Sequence, residues 1–232
     1  MPSAIYNWRM STGQGGPRRK RHYLLAIAFV GAMACASPGR QPSDVAPPAL
    51  DTLLPALLDS AGVPGLALAL VSHGRIVWAR GFGNRRQGQT EPIDTATVFE
   101  AASLGKPVFA YAVMKLCERH ILDLDRPLTQ YTSERFLDGD PRLDLITARH
   151  VLSHTSGFQN WRSDKEPLQI HFAPGEKFLY SGEGYSYLQS VVAHLTGQAF
   201  EPYMKANILR PFGMSSSGYV WNDDFAKHMA RL

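Results

Sequence analysis

Apolar residues recur along the sequence first at helical spacing, then in short runs, then at helical spacing again. From Ala49 to Ala61, Leu53, Leu54, Leu57 and Leu58 share one face and predict a helix. Pro55 lies in that stretch and fits only if the helix starts near it. Gly62 and Pro64 end the pattern. Leu66–Val71 and Arg75–Phe82 are apolar runs on either side of Ser72-His73-Gly74, which predicts a β-hairpin. Residues 83–97 are polar and read as a loop. Ser103 to Arg119 is the strongest helical pattern, with Val108, Ala112, Met114, Leu116 and Cys117 forming its apolar face. Pro107 sits in its first turn, where a missing N–H costs little. A short run predicted to be extended, Val98-Phe99-Glu100-Ala101-Ala102, leads into it. Leu122 to Asp144 is irregular, with turns at Pro127 and Asp138-Gly139-Asp140-Pro141. Thr147 caps a short helix expected to end at Gly157. Pro174-Gly175 forms a turn ahead of Phe178-Leu179-Tyr180. A helix over Gly184 to Thr196 is closed by Gly197, another over Phe200 to Leu209 is stopped by Pro211, and a last one begins at Asp223.

Charge changes the picture at the N-terminus. The 232 residues carry a formal net charge of +4. Residues 1–40 hold six basic residues (Arg9, Arg18, Arg19, Lys20, Arg21 and Arg40) and no acid. That leaves 18 Lys and Arg against 20 Asp and Glu in the rest, a net of −2. No basic surface remains for a nucleic acid. Arg18-Arg19-Lys20-Arg21 followed by 14 apolar or small residues, Tyr23 to Ala36, reads as an export signal too short to span a bilayer comfortably. Three outcomes stay open. Ala34-Cys35-Ala36 fits cleavage before Ser37, Ala32-Met33-Ala34-Cys35 fits a lipoprotein box that would attach the protein to a membrane through Cys35, and an uncleaved anchor is the third. The expectation is an exported protein, periplasmic, secreted or lipidated. Residues 1–36 are its signal, 37–48 a Pro- and Ser-rich linker, and 49–232 one domain. The other cysteine, Cys117, lies in a helical pattern and reads as a small buried hydrophobe. No disulfide framework can be drawn.

Candidate chemistry begins at Ser103-Leu104-Gly105-Lys106. Residues three apart share a helix face, so the Lys amine can reach the Ser hydroxyl. Ser is a weak nucleophile until a neighbour takes its proton, and an amine does so only where burial or other positive charge favours its neutral form. A helix N-terminus supplies such a field, and its free N–H groups can hold an oxyanion. The tetrapeptide alone recurs by chance; the helix entry around it gives it weight. Tyr180-Ser181-Gly182 adds a phenol able to relay a proton. His150 and His154 have the spacing of a helical metal pair, but Val151 replaces the Glu of the zinc-protease pattern and no third ligand follows. No metal is expected, and His154 is assigned a structural hydrogen-bonding role. Ser156 reads as a turn residue. No Gly-x-Ser-x-Gly elbow occurs, which argues against an α/β-hydrolase.

Together these segments resemble the serine β-lactamase and penicillin-binding-protein family, in its class C β-lactamase, D-alanyl-D-alanine carboxypeptidase and esterase branch. The resemblance rests on Phe99 to Pro107, Val151-Leu152-Ser153-His154-Thr155-Ser156-Gly157-Phe158, Phe172 to Tyr187, and Ile208-Leu209-Arg210-Pro211-Phe212-Gly213-Met214. It covers about residues 50–220, in order. It implies an α+β fold: an antiparallel sheet flanked by helices beside an all-helical lobe. It implies Ser103 as acylated nucleophile, Lys106 as proton acceptor and Tyr180 as partner base and leaving-group acid. The Ser103 N–H would be half of an oxyanion hole. No cofactor is implied.

Two departures from the family pattern stand out. Gly182 occupies the substrate-binding position where the family usually carries Asn, which favours an esterase or peptidase over a strict β-lactamase. A Lys-Thr-Gly or His-x-Gly strand motif is absent between Tyr180 and Leu232, so the sheet is expected to be incomplete and the protein truncated at its C-terminal end. The reading is a serine hydrolase acting through an acyl-enzyme on an ester, β-lactam or D-amino-acid peptide, a small-molecule or peptidoglycan-like substrate. The rival is a catalytically impaired cell-envelope binding protein of the same fold.

Overall fold

The computed structural model describes residues 49–230; the signal, the linker and Cys35 lie outside the described residues. The protein divides into two compact units, one of residues 49–97 with Ala230 and one of residues 98–229.

In the smaller unit, α1 (Ala49–Ala61) is followed by β1 (Gly65–Ser72) and β2 (Arg75–Gly83), an antiparallel pair. His73 and Gly74, both at positive φ, make the turn that matches strand twist. Leu70 faces Trp78 and Val71 faces Ile76, so Val77 is an extra residue that bends the hairpin. The helix departs from expectation in two ways. Pro55 lies inside it, not near its start, and sits on an exposed face where water can satisfy the carbonyl it cannot bond. Of the four leucines only Leu58 is buried, because a two-stranded sheet offers a helix little surface to cover. Asp51 holds α1 to β2 through Arg80 at 2.7 Å.

The larger unit carries the main core. Its helices are α2 (Gly105–Glu118), α3 (Ala148–Leu152), α4 (Gly182–Thr196), α5 (Phe200–Met204), which runs on into a π-helical turn over Lys205–Leu209, and α6 (Asp223–His228). The buried face of α2 is Phe109, Ala112, Val113 and Leu116. Met114, expected on that face, is exposed, because a 3.6-residue period turns it outward once Phe109 and Leu116 point in. Tyr185, Leu188, Val191 and Val192 of α4 belong to the same core cluster. Burying those eight side chains contributes on the order of 10 kcal/mol before entropy is charged.

The site depends on how α2, α3 and α4 begin and end. Tyr219 Oη donates to Gly105 O at 3.2 Å and fixes the entry to α2. Thr147 caps α3 as expected, with His150 completing a capping box. That helix ends at Leu152, five residues before Gly157, because His154 adopts a left-handed φ of 57° and turns the backbone away. Ser181 caps α4, which therefore starts two residues earlier than its apolar pattern suggests; Gly197 closes it at φ 63°.

Candidate active site

Ser103 lies in a single 3-10 turn, Ala102–Leu104, immediately before α2. The run expected to be extended is not: Val98 bridges Met229, but Ala101 is already helical and Ala102 takes φ 42°. A left-handed alanine costs about 1–2 kcal/mol. Ser103, the next residue, is exposed. The Ser103 N–H donates to no described residue and is open to an oxyanion.

One turn on, Lys106 Nζ donates to Ser103 Oγ at 3.0 Å. Tyr180 enters from the segment before α4. Its ring centroid lies 4.9 Å from Lys106 Nζ. Partial burial pushes this phenol up, but the Lys106 and Ser103 side chains beside it, with the charge of Lys106, outweigh burial and bring it below the ordinary tyrosine value. Tyr185, one turn into α4, lies 5.5 Å from the same amine. There burial, then the neighbouring Tyr180, pushes the phenol up. Similar side chains flanking one cation are thus driven apart.

His154 holds Tyr180 in place. Its ring stacks on Tyr180 at 4.4 Å, and its Nδ1 accepts the Ser181 N–H at 3.1 Å. Its carbonyl accepts the Leu179 N–H at 2.8 Å. Burial, then Lys106, lowers its pKa, so the ring works as a neutral acceptor. His150 serves its own helix cap and Ser156 is buried, its Oγ accepting the Phe158 N–H. Among the described residues no group of three or more His, Cys, Asp or Glu is arranged to hold a metal ion.

Gly182 is buried, and its position admits no side chain. A Cβ there would lie 2.6 Å from the Asn160 carbonyl oxygen and 2.6 Å from Cη2 of Trp161. Its N–H donates to Asn160 Oδ1 at 3.0 Å. Asn160, Trp161 and the Arg162–Glu183 ion pair beside them escaped sequence reasoning. The available signals were a Glu in the first turn of an apolar helix and a lone Trp in a polar loop.

Ser103, Lys106 and Tyr180 therefore meet, at a helix entry, in the family order expected of them. A family model described as Beta-lactamase matches residues 50–231. The protein belongs to the Beta-lactamase family. This Beta-lactamase family member is 31% identical over 189 residues to Penicillin-binding protein 4* of Bacillus subtilis (strain 168), covering 72% of itself and 40% of that protein. It is 30% identical over 204 residues to Esterase EstB of Burkholderia gladioli, covering 74% of itself and 51% of that protein. Among solved structures, the octameric penicillin-binding protein homologue from Pyrococcus abyssi superposes with a TM-score of 0.64 at 26% identity, over 78% of this protein and 46% of that one. A class C β-lactamase in complex with cefoxitin gives 0.68 at 23% identity, over 78% and 53%, and shows the shared fold. The sequence spans about half, or less, of the length of the curated relatives it matches. The α+β reading holds: helices and an antiparallel sheet are present, the sheet reduced to two strands among the described residues.

Proposed function

We propose that this protein is a serine hydrolase that acts through an acyl-enzyme at Ser103, on an ester, β-lactam or D-amino-acid peptide. The observation that carries the reading is the grouping of three side chains: Lys106 Nζ lies 3.0 Å from Ser103 Oγ, and the Tyr180 ring centroid lies 4.9 Å from the same amine. Ser103 Oγ attacks the substrate carbonyl as its proton passes to the Lys106–Tyr180 pair. A C–O bond forms, and the carbonyl π pair moves to an oxyanion beside the free Ser103 N–H. Collapse of that adduct breaks the bond to the leaving group, which takes the proton back from Tyr180. Water, deprotonated by the same pair, then releases the acid and restores Ser103. The relatives' names, an esterase and a penicillin-binding protein, agree with such acyl transfer. On its basic, apolar leader the protein acts outside the cytoplasm.

The test is active-site labelling. A membrane-impermeant fluorophosphonate or a fluorescent penicillin, added to intact cells, is expected to label the wild-type protein and not Ser103→Ala. Absence of labelling by either reagent, in lysed cells as well, overturns the reading and leaves a binding protein of the same fold. Labelling only after lysis retains the enzyme and removes the exported location.

A further inference from the structure

One residue grips the segment that carries Tyr180 at three points. The His154 carbonyl accepts the Leu179 N–H at 2.8 Å, and its Nδ1 accepts the Ser181 N–H at 3.1 Å. Its ring stacks on the Tyr180 ring, with centroids 4.4 Å apart and 30° between the planes. Backbone and side chain of His154 thus fix the chain on either side of Tyr180 and one face of its phenol. His154 does so at a φ of 57°, which most side chains disfavour and Asn tolerates.

The bond to Ser181 sets the state of the ring. An Nδ1 that accepts carries no proton, so the neutral ring holds its hydrogen on Nε2. A second proton would make Nδ1 a donor facing the Ser181 donor, and the bond would be lost. It would also put a cation where one already sits. Lys106 Nζ lies 4.9 Å from the Tyr180 ring and 5.5 Å from the Tyr185 ring, and His154 meets the same two rings at 4.4 and 5.2 Å. Like charges held against the same rings repel. Among the described residues, the titratable groups that face His154 are Lys106 from α2, Tyr180 from the segment before α4, and Tyr185 from α4; Phe178 adds an uncharged ring at 5.7 Å. His150, one turn back on α3, is engaged elsewhere, its Nδ1 accepting the Thr147 N–H at 3.3 Å.

We propose that His154 is a positioning residue for the reaction at Ser103: its neutral ring holds Tyr180 against Lys106, and a proton on that ring releases Tyr180 and stops acylation. It acts through Tyr180, not on the substrate. This deepens the serine hydrolase reading above and rests on it. Burial, then the charge of Lys106, keeps the ring neutral. The site is therefore assembled above about pH 6.5 and comes apart as the pH falls toward the lower folded value.

The experiment follows two signals against pH on the full-length protein. The first is the rate constant for labelling of Ser103 by a fluorophosphonate. The Lys106–Tyr180 pair must itself be free of the proton it accepts, so the rate falls in acid in proportion to proton concentration. Release of Tyr180 adds about one further power below the His154 pKa. The second signal is the Ser181 amide shift in NMR of isotope-labelled protein, which reports the bond to Nδ1 whether or not any substrate reacts. In wild type the amide shift and the steeper limb are expected to share a midpoint. His154→Asn keeps an acceptor one bond from Cγ, as Nδ1 is, and loses the ring and its proton. It is expected to label about tenfold more slowly at neutral pH, without the steeper limb. His154→Phe keeps a ring, loses the acceptor, and is expected to behave alike. A histidine that merely supports the fold would change the amount of folded protein and leave the shape of the profile alone. A steeper limb retained in either variant, or a wild-type amide that does not move with that limb, overturns the proposal; the amide signal needs no variant to fold. A wild-type protein that takes no fluorophosphonate at any pH fails at the hydrolase reading, and this inference fails with it. Labelling of wild type with no steeper limb removes the inference alone.

Discussion

His154 is neutral in the folded protein because burial, and behind it the charge of Lys106, disfavours the imidazolium. Its folded pKa lies below the ordinary 6.5, so the unfolded state binds the proton first. Its contribution to stability is full above about pH 6.5 and is lost as pH falls toward the folded value. His154→Asn, whose Oδ1 can still accept the Ser181 N–H, is expected to flatten that slope. Urea midpoints of the two proteins, compared between about pH 8 and pH 5, measure it; parallel profiles would show that the ring does not titrate with folding. Ala102 acts through its backbone instead, its φ of 42° aiming the residue that follows. Ala102→Gly removes that strain and also the constraint on Ser103, so stability gained there is expected to come with a slower acylation step.

Among the elements, α4 organises the site. Its cap, Ser181, and its first-turn Glu183 bind the 159–162 loop, while the next turn sends Tyr185 into the core. Arg162→Ala would leave a buried carboxylate facing no guanidinium. The expected cost is about 2 kcal/mol in chemical denaturation, below that of a fully enclosed pair because Arg162 is itself partly open to water. Adding Glu183→Gln to that variant should recover part of the loss; no recovery would mean that the ion pair is not what holds the loop. Local pattern made much of this legible. The hairpin, the Thr147 cap, the Gly197 stop and the three-residue step from Ser103 to Lys106 all lie within a few residues of their causes. The phenol at 180 was a candidate from its own residues but took its place in the site from family resemblance. The Asn160–Gly182 and Arg162–Glu183 contacts join residues 22 and 21 apart through a packed turn, and no periodicity encodes them. Pro55 inside α1 and Met114 outside the core show the complementary limit. Each is decided by which face a neighbour covers, which propensity does not report.

At the scale of the molecule, the two units differ in how they are stabilised. Residues 98–229 own a core of some two dozen buried apolar side chains, whereas the hairpin of the smaller unit has one helix of support and a sheet of two strands. A hairpin of two strands is marginal by itself. Hydrogen exchange is therefore expected to be slowest in α2 and α4 and faster by at least about a hundredfold in β1 and β2. Equal protection across both would mean that the hairpin gains support beyond what its own unit provides. One consequence of the bare backbone at position 182 concerns how such a protein can change. Any larger residue there meets the Asn160 carbonyl and the Trp161 ring at 2.6 Å. A lineage or a designer seeking a side chain on that helix turn must first displace the neighbouring loop. The order of mutations is constrained, and the route to a new specificity runs through residues 160 and 161 before it reaches the helix.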